Sequence, residues 1–261
     1  MRFFLHSIRI NLRCAAQYRA SFLMHTAAQL VMTAGDLWAV LILLERFGGM
    51  RQWEGPEILV FFGAMQIVFA FTEIVNRGLG TFSGAIRQGT FDTVLLRPRS
   101  TLVQVMLSQT DPRRVGSILV GIAALAAGSA RLGLVWTADR VLLLLWSVAG
   151  TVFLLLGLFM IEASMCFFSV QSIEVVNILT YGGRQACQYP VDLYPDPIRL
   201  LFTWVVPITL CLQHPLSAIL GKPMGLTGPA LWLMPCCGPM FFALITFLWR
   251  WGVRHYRSTG S

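Results

Sequence analysis

Acidic side chains inside apolar runs are the first place where this sequence points to chemistry. Asp36 stands about 16 residues into a run that begins near Ala20, roughly 24 Å along a helix. An ionised carboxylate at membrane depth is costly and normally faces protein or water. Two readings follow for Asp36: a polar site lining a cavity, or an internal ion pair, with an arginine from another outer segment as partner, that fixes packing. Glu73 and Glu162 fall near the inner ends of their apolar runs, and both are expected to face head groups or a polar loop. The histidines make no catalytic set. Ser-His-Asp hydrolysis needs three convergent groups, whereas His6 and His255 lie in the tails and His25 and His214 are far apart. His25 reads as an interfacial residue, and His214, just before Pro215, as a cap on a backbone kink. A nucleotide site needs a glycine-rich turn ending in Lys-Ser or Lys-Thr, and the only lysine, Lys222, is followed by Pro223. Work driven by ATP would therefore need its motor on another chain. The six cysteines, Cys14, Cys166, Cys187, Cys211, Cys236 and Cys237, lack the paired spacing of a zinc site and read as small hydrophobes. No metal site is expected.

The elements that must position these groups are membrane spans. The chain has 261 residues, 56% of them hydrophobic and 12% charged, against about 25% charged in a soluble domain. So apolar a chain cannot cover its exterior with polar groups, and lipid is its natural solvent. A single transmembrane domain, residues 1–261, fills the length. Residues 1–19 read as an interfacial helix, with Arg2, His6, Arg9 and Arg13 on one face and Phe4, Leu5, Ile8, Leu12 and Ala15 on the other. The same arginines rule out a compact apolar signal region there. Two spans occupy residues 20–75, running Ala20–Leu44 and Ile58–Val75. A polar segment, 76–114, follows. Residues 115–189 hold three spans: Val115–Val135, rich in Gly116, Gly121 and Gly128 for close helix approach, then Val141–Phe168 and Ile173–Tyr189. Segment 190–228 is dense in proline, and Ile198–Leu220 is expected as two half-helices that dip and return rather than one straight crossing. Residues 229–261 supply the last span, Ala230–Trp249, and a basic tail.

Charge sets the orientation. Net charge is +8, and 19 of the 20 basic residues are arginine. They sit between apolar runs, which favours topology over nucleic-acid binding. With the N-terminus inside and six crossings, thirteen basic residues fall inside and seven outside, the seven including Arg184, Arg199 and Lys222. Both termini are then cytoplasmic. The inner loop reads Ile86-Arg87-Gln88-Gly89-Thr90-Phe91-Asp92-Thr93-Val94-Leu95-Leu96-Arg97-Pro98. Its amphipathic character, glycine break and closing Arg-Pro predict a small helix along the membrane surface; a plain solvated loop is the alternative.

That loop resembles the Gly-x-(aliphatic or aromatic)-Asp-x-x-Leu-x-Arg-Pro signature of the six-span ABC-2-type permeases, in their export-like branch. A second stretch is similar in the same order: Tyr189-Pro190-Val191-Asp192-Leu193-Tyr194-Pro195, then Ile198-Arg199, Val206-Pro207, and Pro215 through Leu220-Gly221. Tyr18-Arg19-Ala20-Ser21-Phe22 is similar to that family's approach to its first span. Val206 stands where the family often has isoleucine. The resemblance implies an all-α integral membrane protein of about six transmembrane helices, with an N-terminal amphipathic helix, a cytoplasmic coupling helix and a re-entrant segment before the last span. It implies a coupling segment at Gly84–Arg97, with Gly89, Asp92, Arg97 and Pro98 at signature positions and Arg87, Phe91 and Leu96 beside them. The re-entrant segment would carry Tyr189, Pro190, Pro195, Pro207 and Pro215. A dimer cavity between first, second and fifth spans would be lined by Gln29, Thr33, Asp36 and Gln66.

The partners implied are two copies of a cytoplasmic ATPase holding ATP and Mg, a second permease copy or a sister subunit, and membrane lipid. No nucleic acid and no cofactor in this chain are expected. The function implied is export of an amphiphilic, lipid-like, drug or peptide substrate across a bacterial cytoplasmic membrane. Two other classes compete: a stand-alone secondary transporter or channel using Asp36, and a membrane scaffold.

Overall fold

A computed structural model describes residues 19–47, 49–50, 52–168, 177–222 and 228–256. The expected interfacial helix, 1–19, apart from its last residue, and the end of the basic tail, 257–261, lie outside the described residues, as does Cys14. Helix α1, Arg19–Phe47, is followed by a two-strand hairpin, β1 Gly49–Met50 against β2 Trp53–Glu54, with Met50 opposite Trp53. Helix α2, Gly55–Gly80, leads into α3 Phe82–Arg87, α4 Phe91–Leu95 and α5 Thr101–Met106. Helices α6 Val115–Arg131 and α7 Ala138–Met165 come next. After the gap, a wide (π) turn at Ile178–Gly182 runs into α8 Gly183–Cys187. Helix α9 Asp196–Leu200 continues through a second wide turn, Leu201–Val205. A third, Thr209–Gln213, opens α10 His214–Ile219. The chain closes with α11 Ala230–Leu233, a 3-10 turn Met234–Cys236 and α12 Cys237–His255.

Among the described residues, four helices are long and apolar enough to cross a membrane, or five if the bent pair around Pro207 counts as one span. Helix α1 also has the length: 29 residues make about 44 Å at 1.5 Å each, more than a hydrocarbon core of about 30 Å. The outward surface agrees with lipid. Leu23, Met24, Val31 and Trp38 of α1, Leu142 and Leu145 of α7, and Met240, Leu244 and Phe247 of α12 are all exposed. The fold is thus that of a multi-pass membrane protein.

The exception is α2, which is enclosed by α6, α7 and α8. Its most apolar stretch is 78% buried, against 17% for the last helix. Glycine makes that enclosure possible. A Cβ on Gly63 of α2 would lie 2.6 Å from the carbonyl oxygen of Gly121 on α6, so the two backbones meet where neither side has a side chain. Helices α7 and α12 meet in the same way, where Gly150 faces Pro235 and Gly238.

Several boundaries differ from those the sequence predicts. The second span does not end at Val75 but continues to Gly80, because Asn76 and Gly78 are buried against neighbouring elements. The last helix runs past Trp249 to His255, and a turn at Pro235 interrupts its start. The fifth span is described only from Asn177. Of the prolines, Pro207 breaks the chain, with Asp196–Val205 and Thr209–Ile219 lying at 82° to each other. Pro215 does not break it: it sits in the first turn of α10, where no N–H is needed.

Irregular backbone at this depth needs partners, and Gln213 supplies them. Its side chain is fully buried. Its amide nitrogen donates to the carbonyls of Tyr189, at 2.8 Å, and Cys187, at 3.2 Å, while its oxygen accepts the Val191 N–H at 2.9 Å. Tyr189 and Pro190 are held in this way at the root of the broken segment. The five described cysteines are free thiols. Gln213→Leu would leave three backbone groups unpaired, at about 1–3 kcal/mol each. Thermal unfolding of the purified protein in detergent should show it among the most damaging single changes in 190–220. A melting temperature equal to the parent's would remove Gln213 from that role.

Candidate coupling segment and intramembrane polar site

The link between α2 and α6 is built on a left-handed glycine. Gly89, at φ 67°, ends α3 and lets the chain turn into α4. The single small helix expected over 84–97 is therefore two short helices, Phe82–Arg87 and Phe91–Leu95, with the glycine between them. Asp92 occupies the first turn of α4, a favoured place for a carboxylate. Pro98 lies just beyond α4, where no helical hydrogen bond is required of it. The expected coupling residues divide by exposure. Arg87, Leu96, Arg97 and Pro98 face outward, Leu96 being 85% exposed, while Phe91 is fully buried and Asp92 half-buried.

Phe91 is buried in an aromatic cluster that sequence reading missed. Its ring meets Phe82 at 5.1 Å, Phe167 at 5.5 Å and Tyr256 at 5.1 Å between centroids. Trp249 stacks against Phe82 at 5.2 Å and Phe167 at 5.3 Å. Its indole N–H donates to Thr101 at the start of α5, at 3.1 Å. The cluster ties the link to the turn just after α7 and to the last turns of α12. Each such pair adds about 0.5–1.5 kcal/mol beyond area burial. The Tyr256 hydroxyl lies beside Asp92, and its pKa is raised by burial first and by the Asp92 carboxylate second. The available signal was two phenylalanines, Phe82 and Phe91, the aromatic residues of the link.

Deeper in the bundle, Arg184 gathers the polar groups. Its Nη2 donates to Gln66 Oε1 at 3.1 Å and lies 3.8 Å from Asp36 Oδ2, and its guanidinium covers the Phe69 ring at 4.6 Å. Gln66 and Phe69 lie in the middle of α2, so Arg184 is not in the outer link where the basic-residue count placed it. The wide turn at Ile178–Gly182 feeds directly into α8 and carries Arg184 to that depth. The Asp36 side chain is 45% exposed on its far side. Thus Asp36 and Gln66 come together, through an arginine from another segment.

Gln29 and Thr33 do not join them. They meet Ser117 of α6, Thr33 Oγ1 at 2.9 Å and Gln29 Nε2 at 3.3 Å, as a polar seam between α1 and α6. Thr33 and Ser117 are both buried.

Glu73 faces the polar link, one of the two places expected for it, and neither it nor Glu162 is open to head groups. Both are buried within the bundle. Glu73 accepts from Arg114 at 2.8 Å, which closes the end of the link onto α2. Among the described residues no group of three or more His, Cys, Asp or Glu is placed to hold a metal ion.

Comparison with known proteins bears on what this arrangement serves. The family model described as ABC-2 family transporter protein matches residues 30–260. The chain belongs to the ABC-2 transporter family. No curated protein and no solved structure matches it. Permeases of this family are membrane components that work with ATPase subunits.

The two ion pairs of the link make a matched test. Arg114→Gln would leave Glu73 buried without its partner, at about 3–5 kcal/mol. The Arg113–Asp111 pair is 3.2 Å long with the arginine 45% exposed, so Arg113→Gln should cost about 0–1 kcal/mol. Thermal unfolding of both variants in one detergent checks the contrast; equal losses would contradict it.

Proposed function

We propose that this chain is the permease subunit of an ATP-driven transporter, exporting an amphiphilic substrate while a separate ATPase subunit binds ATP and Mg. The observation that carries the reading is the link between α2 and α6. It has an exposed basic and apolar face, Arg87, Leu96, Arg97 and Pro98, and a fully buried aromatic root, Phe91, in a chain of the ABC-2 transporter family. No nucleotide motif occurs in its sequence. In this reading the protein makes six crossings of a bacterial cytoplasmic membrane with both termini inside. Segment 190–228 is re-entrant on the outer side, and two permease copies meet two ATPase copies.

The mechanism follows from where the link is anchored. ATP shifts an equilibrium only through different binding energy for its two states. Closure of the ATPases presses on the exposed face of α4. Phe91 passes that displacement to Phe167 and Trp249, and so to α7 and α12, while the Arg114–Glu73 pair passes it to α2. Asp36, half-exposed beside Arg184, then faces the space between the two permease copies, while Gln66, buried behind it, holds the Arg184 guanidinium in place. The seam of Gln29, Thr33 and Ser117 keeps α1 on α6 as they tilt. Pairing with Arg184 satisfies Asp36 within the chain, which favours this reading over a stand-alone ion carrier.

Leu96→Glu combined with Arg97→Glu alters only exposed side chains. In detergent-purified complex, the double variant should keep the parent's melting temperature, lose the co-purifying ATPase and lose any stimulation of its turnover, with affinity at least about tenfold weaker (about 1.4 kcal/mol). Unchanged co-purification and ATPase rate would show that the ATPase docks elsewhere or is absent.

A further inference from the structure

The 82° break at Pro207 leaves a hollow between its two limbs, a cavity of about 630 Å³. Its volume lies in the range of small-molecule sites. Lys222 in its wall bonds Glu57 in the first turn of α2, so the cavity lies at the opposite end of α2 from the coupling segment.

The lining has more donors than acceptors. Thr209 is the sharpest case. In this bundle Thr72 and Thr151 each return their hydroxyl to the carbonyl four residues back, at 2.8 Å and 2.7 Å. For Thr209 that residue is Val205, which lies across the break on the other limb. Its Oγ1 has no hydrogen-bond partner among the described residues, although the residue is only 1% exposed and lines the cavity. Arg199 commits one N–H to Asp196 at 2.8 Å, a carboxylate 76% exposed and therefore well solvated.

Lys222 commits two of its three N–H groups, to Glu57 at 2.6 Å and to the Gln52 carbonyl at 2.7 Å. Buried Glu57 pairs with Lys222 as Asp196 pairs with Arg199, and the Arg199 guanidinium has N–H groups beyond the one it gives to Asp196. The one carboxylate in the wall, Asp192, already accepts from Gln52 at 3.3 Å. Beside this polar wall, Leu200 and Trp204 leave an apolar rim, 55% and 71% exposed.

We propose that this cavity binds an oxyanion, a phosphate or carboxylate, as the head of an amphiphile whose tail lies along Leu200 and Trp204. Guanidinium N–H groups beside an unpartnered hydroxyl fit an acceptor-rich head group. Arg199 would hold the charge and Thr209 would donate its idle hydroxyl. The proposal narrows the substrate class of the permease reading, but its test needs no ATPase, so the two fail separately.

Calorimetry on the purified full chain in an uncharged detergent uses three probes: dihexanoyl phosphatidic acid, the matching dihexanoyl glycerol without phosphate, and inorganic phosphate. The phosphatidic acid should bind saturably, and dihexanoyl glycerol at least about tenfold more weakly. Arg199→Gln should weaken phosphatidic acid about tenfold, and Thr209→Val by a smaller factor that Thr209→Ser restores. Arg131→Gln, an exposed change at the end of α6, should leave binding unchanged. Inorganic phosphate binding with the same losses would support the oxyanion site and assign its source to the free anion when it matches phosphatidic acid in affinity, or to the amphiphile when it is weaker. Absence of saturable binding, equal affinity for dihexanoyl glycerol, or full binding by a folded Arg199→Gln would overturn the proposal.

Discussion

Lipid gives apolar helices no reason to prefer one another over acyl chains, so a bundle must hold through shape and polar contact. In this protein the constraint is met where α2 and α6 touch backbone to backbone at Gly63 and Gly121. With that contact made, α2 is enclosed on nearly all sides and becomes the axis of the molecule. One end carries Glu57 under Lys222, which anchors the broken segment and the hairpin. The other end runs through Thr81 into α3 and the aromatic cluster. Whatever tilts α2 must therefore act on both ends together, because the close contact in the middle leaves little room for bending.

The buried charges follow the same axis. Arg184 meets α2 near its middle, through Gln66 and Phe69, and Arg114 meets it lower down, through Glu73. Each arginine comes from a different segment, one beyond the wide turn at Ile178–Gly182 and one from the end of the link. Removing a partner from such a pair strands a charge in a low dielectric. The pairs therefore set the order in which segments can leave α2. They also give Asp36 a cationic neighbour, Arg184 at 3.8 Å, on its covered side.

Much of the architecture was legible in the sequence because composition and run length express the solvent directly. The apolar runs, the small residues of α6 and the Arg-Pro end of the link all reflect local chemistry. The alternative of an internal ion pair for Asp36 also appears in the structure, with Arg184, though this arginine lies level with the middle of α2 and not in an outer link. What remained illegible was convergence between distant segments. Nothing local to Gln213 tells that its amide will serve Cys187, Tyr189 and Val191. Nothing local to Trp249 or Tyr256 tells that they close over Phe91. The burial of Glu73 and Glu162 was illegible for the same reason, although Glu73 does meet the polar link through Arg114: distance along a helix gives depth, but not which side is covered by another helix.

The wide turns have a consequence of their own. A π turn accommodates one residue more than an α turn, like a single insertion absorbed without unravelling the helix. Three of them lie between Ile178 and Gln213. Winding the same residues as a regular α-helix would leave the extra residue unabsorbed and rotate everything after it by about 100°. Arg184 would then swing away from α2 in the first case, and Gln213 from its three backbone partners in the last. Chain length in this stretch is thus as much a part of the bundle's specification as residue type.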